Sequence, residues 1–134
     1  MPEITGVLET SLYVADVARS KRYYTETLGF EPLVEDERFC ALSVAGRHVL
    51  LLFKQGASTE PMPIAGGLIP PHDGSGDLHL AFAIPATELA EWERRLAGSI
   101  ESTVIWPRGG ASLYFRDPDH HLIELVTPGC WAIY

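Results

Sequence analysis

The apolar positions of this chain come in short runs, and the same succession of runs occurs twice. Residues 6–14 (GVLETSLYV) read as a strand. Asp16 then stands where its side chain can cap a helix through Val17, Tyr24 and Leu28, and Gly29 is a C-terminal stop. Three β-like runs follow at 31–34, 39–44 and 48–53, with Ala45-Gly46-Arg47 as a hairpin turn between the last two. The second half repeats the order. Residues 77–84 (DLHLAFAI) read as a strand, and 86–97 as a helix with Leu89, Trp92 and Leu96 on one face and Gly98 at its end. Runs at 100–106, 112–116 and 121–126 complete it, with Asp117-Pro118-Asp119 turning the last pair. Each half is β-α-β-β-β, which predicts an α+β class: a single domain over 1–134, with modules at about 4–54 and 77–128.

Between the halves, residues 55–76 hold four of the ten prolines and five of the twelve glycines, so neither strand nor helix is expected there. An excursion of that length inside a compact domain is either a lid or binding loop, or a surface linker between half-domains.

Composition narrows the classes. Apolar residues at 46% and charged ones at 21% fit an ordinary globular domain and argue against disorder. No stretch approaches 18 uninterrupted apolar residues, so no membrane-spanning helix is expected. The opening Met1-Pro2-Glu3-Ile4 carries no export pattern, and Cys40 and Cys130 read as reduced thiols, which together point to the cytoplasm. Eighteen acids against ten bases give a formal charge of −8. The densest basic cluster, Arg19, Lys21 and Arg22, is flanked by Asp16 and Glu26, so a nucleic-acid partner is not expected. With no CxxC cluster, any metal must be held by His and carboxylates.

Overlaying the two halves identifies which ones. Aligning the first strands sets Glu9 against His79; aligning the last strands sets Leu51 against Glu124. Taken singly, each has a plain explanation. Glu124, between Ile123 and Leu125, would normally alternate outward from a half-exposed strand, His79 would be a satisfied core or edge residue, and Glu9 a solvated one. Their joint placement at repeat-related positions changes the reading. Two carboxylates and an imidazole suit a divalent metal of borderline hardness, with coordination positions left open for a Lewis-acid role.

The paired β-α-β-β-β halves, the opening LETSLYVADVARSKRYYTETLGF, the middle HLAFAI and the closing SLYFRDPDHHLIELVTPG together resemble the vicinal oxygen chelate superfamily, which includes glyoxalases, bleomycin-resistance proteins, fosfomycin-resistance enzymes and extradiol dioxygenases. The resemblance covers nearly the whole chain. It implies two modules forming an incomplete barrel around a metal, a homodimer, and a small-molecule substrate with, in some members, a thiol co-substrate. Carried over by position, the metal ligands fall on Glu9, His79 and Glu124, with Glu9 supplied by the same chain or its partner. The chain departs from the family in two places. Its final turn reads Asp117-Pro118-Asp119-His120-His121 where a glycine, free to take a positive φ, is usual; His120 can do so only at roughly 1 kcal/mol. Glu9 stands where many members have His, making the site harder and more negative: suited to Zn²⁺, Ni²⁺, Mn²⁺, Co²⁺ or Mg²⁺, and less to the Fe²⁺ of oxygen chemistry.

The expected activity is a glyoxalase-like lyase or isomerase in which Glu124 or Glu9, as catalytic carboxylate, moves a proton on a metal-chelated substrate. One alternative is thiol or water addition to the epoxide of fosfomycin, with Trp106, Arg108, Ser112 and Tyr114 as candidate substrate contacts. Another is an extradiol-type dioxygenase. A non-catalytic binder of a flat drug is the last, and would draw its aromatic walls from Phe39, Trp106, Tyr114 and Trp131.

Overall fold

The computed structural model describes residues 1–134, and the chain divides into two compact units, Met1–Gly76 and Asp77–Tyr134. The first contains β1 (Glu9–Val14), α1 (Val17–Leu28), β2 (Glu31–Glu35), β3 (Phe39–Val44), β4 (His48–Lys54) and a small hairpin, β5 (Met62–Ile64) with β6 (Gly67–Ile69). Its main sheet has the order β1-β4-β3-β2, with β1 parallel to β4 and the other pairs antiparallel. The second contains β7 (His79–Ala83), a 3-10 turn (Ala86–Glu88), α2 (Leu89–Arg95), β8 (Ile100–Ile105), β9 (Ala111–Arg116) and β10 (Leu122–Val126), in the order β7-β10-β9-β8 with the same parallel and antiparallel pairings. The class is α+β. Neither sheet closes on itself.

Strand periodicity assigns every side chain to one of two faces. In the first unit Leu12, Val14, Cys40, Leu42, Leu50 and Leu52 share the buried face, all at most 2% exposed. Helix α1 meets that sheet through β3 and β4 and buries Ser20, Tyr24 and Leu28, a stripe at i, i+4, i+8. The helix starts where Asp16 accepts the Arg19 N–H at 2.9 Å and ends at Gly29 in the left-handed region, φ 75°. In the second unit Leu113, Phe115, Ile123 and Leu125 form the matching buried face, again at most 2% exposed.

Two sequence expectations need correction. The run 86–97 is not one helix but a 3-10 turn followed by α2, seven residues long. No side chain caps its first N–H groups, because Pro85 and Glu88 stand at the two cap positions and neither bonds there, whereas α1 has Asp16. The excursion at 55–76 is also not devoid of strand, since β5 and β6 pair across Ala65-Gly66. The excursion is held by specific bonds: Gly56 N–H to Asp73 at 3.1 Å, Gln55 Nε2 to the Gly74 carbonyl at 3.1 Å, and His72 N–H to the Ser58 carbonyl at 2.9 Å.

Two local devices in the second unit fix the site-bearing strands. In the β9–β10 turn Asp117 accepts from the Asp119 and His121 N–H groups at 3.0 and 2.8 Å, and His120 takes φ 68°. His121 is 2% exposed, and its Nδ1 accepts the Leu78 N–H at 3.0 Å, so the turn is tied to the residue preceding β7. The second device is a close backbone approach. A Cβ on Gly110 would lie 2.8 Å from the Pro128 carbonyl and 2.9 Å from the Thr127 carbonyl and Cys130 nitrogen. One on Gly129 would lie 2.5 Å from the Gly110 nitrogen. Beside this contact Thr127 Oγ1 accepts the Ala111 N–H at 2.8 Å, which anchors the start of β9.

Gly110→Ala is therefore expected to destabilise the protein by about 1–3 kcal/mol, because the atoms it meets are backbone and cannot rotate away. Gly66→Ala, with nothing within 4 Å of the added methyl, is the matched control and should shift the urea midpoint little. Equal midpoints for the two variants would contradict the close-approach reading.

Candidate functional site

In the second unit, the sheet face opposite the buried one carries the polar residues. Register places His79 beside Leu122, Ala81 beside Glu124, and Tyr114 beside Glu124 on its other side. His79 and Glu124 are thus diagonal neighbours on one face, within reach of long side chains. Glu124 is 6% exposed, an expensive place for a carboxylate without partners. It has them. Ser112, itself fully buried, donates its hydroxyl to Oε1 at 2.5 Å. The Ser112 oxygen in turn accepts the Trp106 indole N–H at 2.7 Å, which leaves the hydroxyl proton directed at Glu124. Tyr114 also lies within hydrogen-bonding reach of Glu124; burial first, and then that bond, raise its phenol above the ordinary value.

The other carboxylate oxygen is the chemically telling one. Glu124 Oε2 lies 3.3 Å from His79 Nε2. His79 Nδ1 sits 2.9 Å from the Leu122 carbonyl, so the network assigns the ring proton to Nδ1 as donor. In the neutral imidazole Nε2 then presents a lone pair to a carboxylate oxygen. Two acceptors at that separation repel unless a cation lies between them or on one of them. A proton on Nε2 satisfies the pair as an ion pair, and a divalent metal ion satisfies it as two ligands. A backbone-carbonyl partner on the far ring nitrogen is the usual support of a metal-binding histidine. The donor set of one imidazole nitrogen and one carboxylate oxygen fits a borderline divalent ion.

The remaining candidates are placed less uniformly. Glu9 begins β1 in the first unit, exposed and at the register position there that His79 occupies in the second: Glu9 precedes Ser11, the partner of Leu51, as His79 precedes Ala81, the partner of Glu124. Within neither unit do three His, Cys, Asp or Glu side chains converge as a metal-binding set. Ser112 and Trp106 act on Glu124 rather than standing free, and Arg108 sits in the exposed β8–β9 turn with no ion pair. Trp131 is 70% exposed. Sequence reasoning missed Cys130, a half-buried free thiol close enough to Glu124 to sense its charge; nothing in the tail's sequence signals that proximity. It also missed Tyr13, His72 and Arg38, which line a cavity of about 400 Å³ on the corresponding face of the first unit. His72 lies in the Pro/Gly-rich stretch, where no periodicity marks it.

The chain matches the model of the Glyoxalase/Bleomycin resistance protein/Dioxygenase superfamily over residues 6–125. Among solved structures it is similar to a lactoylglutathione lyase from Agrobacterium tumefaciens, at a TM-score of 0.86 and 27% identity, covering 98% of this chain and 99% of that one. It is 29% identical to virulence protein STM3117 of Salmonella typhimurium over 85% of this chain and 78% of that protein. It is 27% identical to a catechol-2,3-dioxygenase of Bacillus subtilis over 93% of its own length but only 42% of that protein's. A match over nearly the whole chain, on two units with the same strand order, establishes that the protein belongs to the Glyoxalase/Bleomycin resistance protein/Dioxygenase superfamily.

Proposed function

We propose that this protein is a metal-dependent lyase or isomerase of the glyoxalase type, acting on a small oxygenated substrate. The observation that carries the reading is the buried Glu124 Oε2 facing the lone pair of His79 at 3.3 Å, an arrangement that calls for a cation. In this reading His79 and Glu124 hold a divalent ion (Zn²⁺, Ni²⁺, Mn²⁺, Co²⁺ or Fe²⁺), and Glu9, from the same chain or a second copy in a homodimer, completes the set. The metal would supply Lewis-acid polarisation of neighbouring substrate oxygens. The protein's own groups do the rest. Trp106 and Ser112 pin Oε1 of Glu124, so its other oxygen has a fixed direction in which to take and return a proton. Tyr114, a further donor to Glu124 beside it in register, lines the same face, where its ring can meet a substrate, and Arg108 is an unpaired cation available to an anionic one. The commitment of Ser112 to Glu124 weighs against its use as a phosphonate contact, and so favours the lyase reading over fosfomycin modification. Both cysteines are free, and no helix is long and apolar enough to cross a membrane, consistent with the proposed cytoplasmic setting.

Elemental analysis of protein purified without chelator should find near-stoichiometric divalent metal in the wild type and a loss of about tenfold or more in affinity for His79→Ala and Glu124→Gln. Equal, sub-stoichiometric metal in all three would overturn the assignment. Turnover of methylglyoxal with a thiol, against fosfomycin with a thiol and catechol with O₂ uptake, then separates the reaction classes; oxygen consumption would replace the lyase reading with ring cleavage.

The charge on Glu124 has a reporter outside the pair. Cys130 has its thiol raised above the ordinary value, chiefly by burial and secondarily by the Glu124 carboxylate. A raised value leaves less thiolate at any given pH, so alkylation of Cys130 should be slow near neutrality and rise with a midpoint above that of a free thiol. Glu124→Gln should bring the midpoint part of the way back, since burial persists. Cys40, fully buried, should react only on unfolding. A pH–rate profile of iodoacetamide labelling checks all three expectations.

A further inference from the structure

The excursion at 55–76 builds something on the first unit in which, Glu9 apart, the proposed metal chemistry uses no residue. It brings Ile69 and His72 over the sheet face opposite α1, where Glu9, Ser11 and Tyr13 of β1, Leu51 and Phe53 of β4, and Arg38 with Phe39 of β3 line a cavity of about 400 Å³. That volume is in the range of small-molecule sites. Phe39 and Phe53 stack at 5.7 Å and 26°, and Phe53 and Tyr13 at 6.1 Å and 25°, so three rings stand nearly parallel in a row. His72 closes the row edge-on to Phe53 at 4.5 Å and 74°, and its Nδ1 is 2.8 Å from the Tyr13 hydroxyl. Gly74 lies against the Tyr13 ring where any side chain would collide, since a Cβ there would be 2.4 Å from Tyr13 Cδ2. The loop is thus shaped to seat His72 on the rings rather than to pass over them.

Charge decides what such a pocket prefers. Aromatic boxes suit cations, but here the Arg38 guanidinium lies 5.7 Å from the Phe39 ring centre and has no carboxylate partner. It occupies the position a ligand cation would take and repels one nearby. The only acid in the lining, Glu9, stands at the other end of β1 from Tyr13, roughly 13 Å away by strand rise, and forms no ion pair with Arg38. We propose that this face of the first unit is a binding compartment for a planar aromatic anion, its ring packed against Phe39, Phe53, Tyr13 and His72 and its carboxylate or equivalent group paired with Arg38. Glu9 of this lining is also the proposed third metal ligand, but the residues that meet the aromatic anion, Arg38, Phe39, Phe53, Tyr13 and His72, have no part in the metal reading.

The test is binding to the full chain stripped of metal, so that loss of the metal reading and loss of this one are separately visible. Calorimetry would compare 2-naphthoate, 2-naphthalenemethanol, naphthylmethylammonium and cyclohexanecarboxylate, with aromatic-ring NMR signals locating the site. The expected result is that 2-naphthoate binds about tenfold more tightly than cyclohexanecarboxylate and perturbs the Tyr13, Phe39 and Phe53 rings. Arg38→Gln should weaken naphthoate about five- to tenfold and leave the neutral naphthalenemethanol within about twofold. Phe53→Leu should weaken both aryl ligands; if that variant fails to fold, the wild-type panel and the half-exposed Arg38→Gln still decide the matter. Tighter binding of naphthylmethylammonium, equal binding of the cyclohexane acid, or unmoved ring signals would overturn the proposal.

Discussion

Glu124 is the residue on which the second unit turns. A carboxylate 6% exposed in the middle of a β-strand is tolerated only where donors or a cation meet it, and the surrounding structure supplies the donors in order. Trp106 orients Ser112, Ser112 holds one oxygen, Tyr114 stands alongside, and His79 faces the other oxygen with its far nitrogen committed to the Leu122 carbonyl. The partners come from β7 (His79), β9 (Ser112 and Tyr114) and the end of β8 (Trp106), so the sheet order β7-β10-β9-β8 is what makes the constellation possible. The scaffolding devices serve the same end. The Asp117 turn and buried His121 fix the strand pair bearing His79 and Glu124, and the Gly110–Gly129 approach fixes the start of β9 just before Ser112.

Much of this was legible in the sequence because strand periodicity is local. Short apolar runs marked β1 and β4, the Asp16 cap and Gly29 stop marked α1, and the overlay of the halves placed Glu9 at the position of His79 and Leu51 at that of Glu124. The observed registers give the same equivalences. What was not legible depends on contacts distant along the chain. Ser112 and Trp106 carry polar groups that suit a substrate as well as a carboxylate, and only their packing shows that they serve Glu124. The start of the second helix failed for a local reason instead. Leu89, Trp92 and Leu96 supplied the helical spacing, but neither Pro85 nor Glu88, at the two cap positions, bonds a first-turn N–H, and the first turn tightens to 3-10 geometry.

The excursion at 55–76 shows the opposite limit. Proline and glycine counts say where regular structure stops, and they are silent on what the chain does instead. Gly74 is a case in point. In composition it is one more loop glycine, yet in the fold it is the position whose missing side chain lets the loop rest on the Tyr13 ring. His72 carries no period and no motif, and acquires meaning only from the hydroxyl 2.8 Å away.

The two units share one topology but line the face opposite the core with different residues, and the difference reduces to a few register-equivalent positions. Where the second sheet has Glu124 between Ala81 and Tyr114, the first has Leu51 between Ser11 and Ala41. An apolar residue at that point removes the need for a cation and for the donors that would hold a carboxylate. The face is then free to be lined by rings, and Tyr13, Phe53 and Phe39 stand nearly parallel there. In the second unit the same face has no such row, because Ser112, Tyr114 and His79 are directed to the buried charge. A duplicated half-module that keeps its helix-facing core can thus change the opposite face without penalty to the fold, since period-two alternation lets one face vary while the other stays packed. That separation of faces is the physical basis on which one unit presents the His79–Glu124 pair and the other an aromatic pocket.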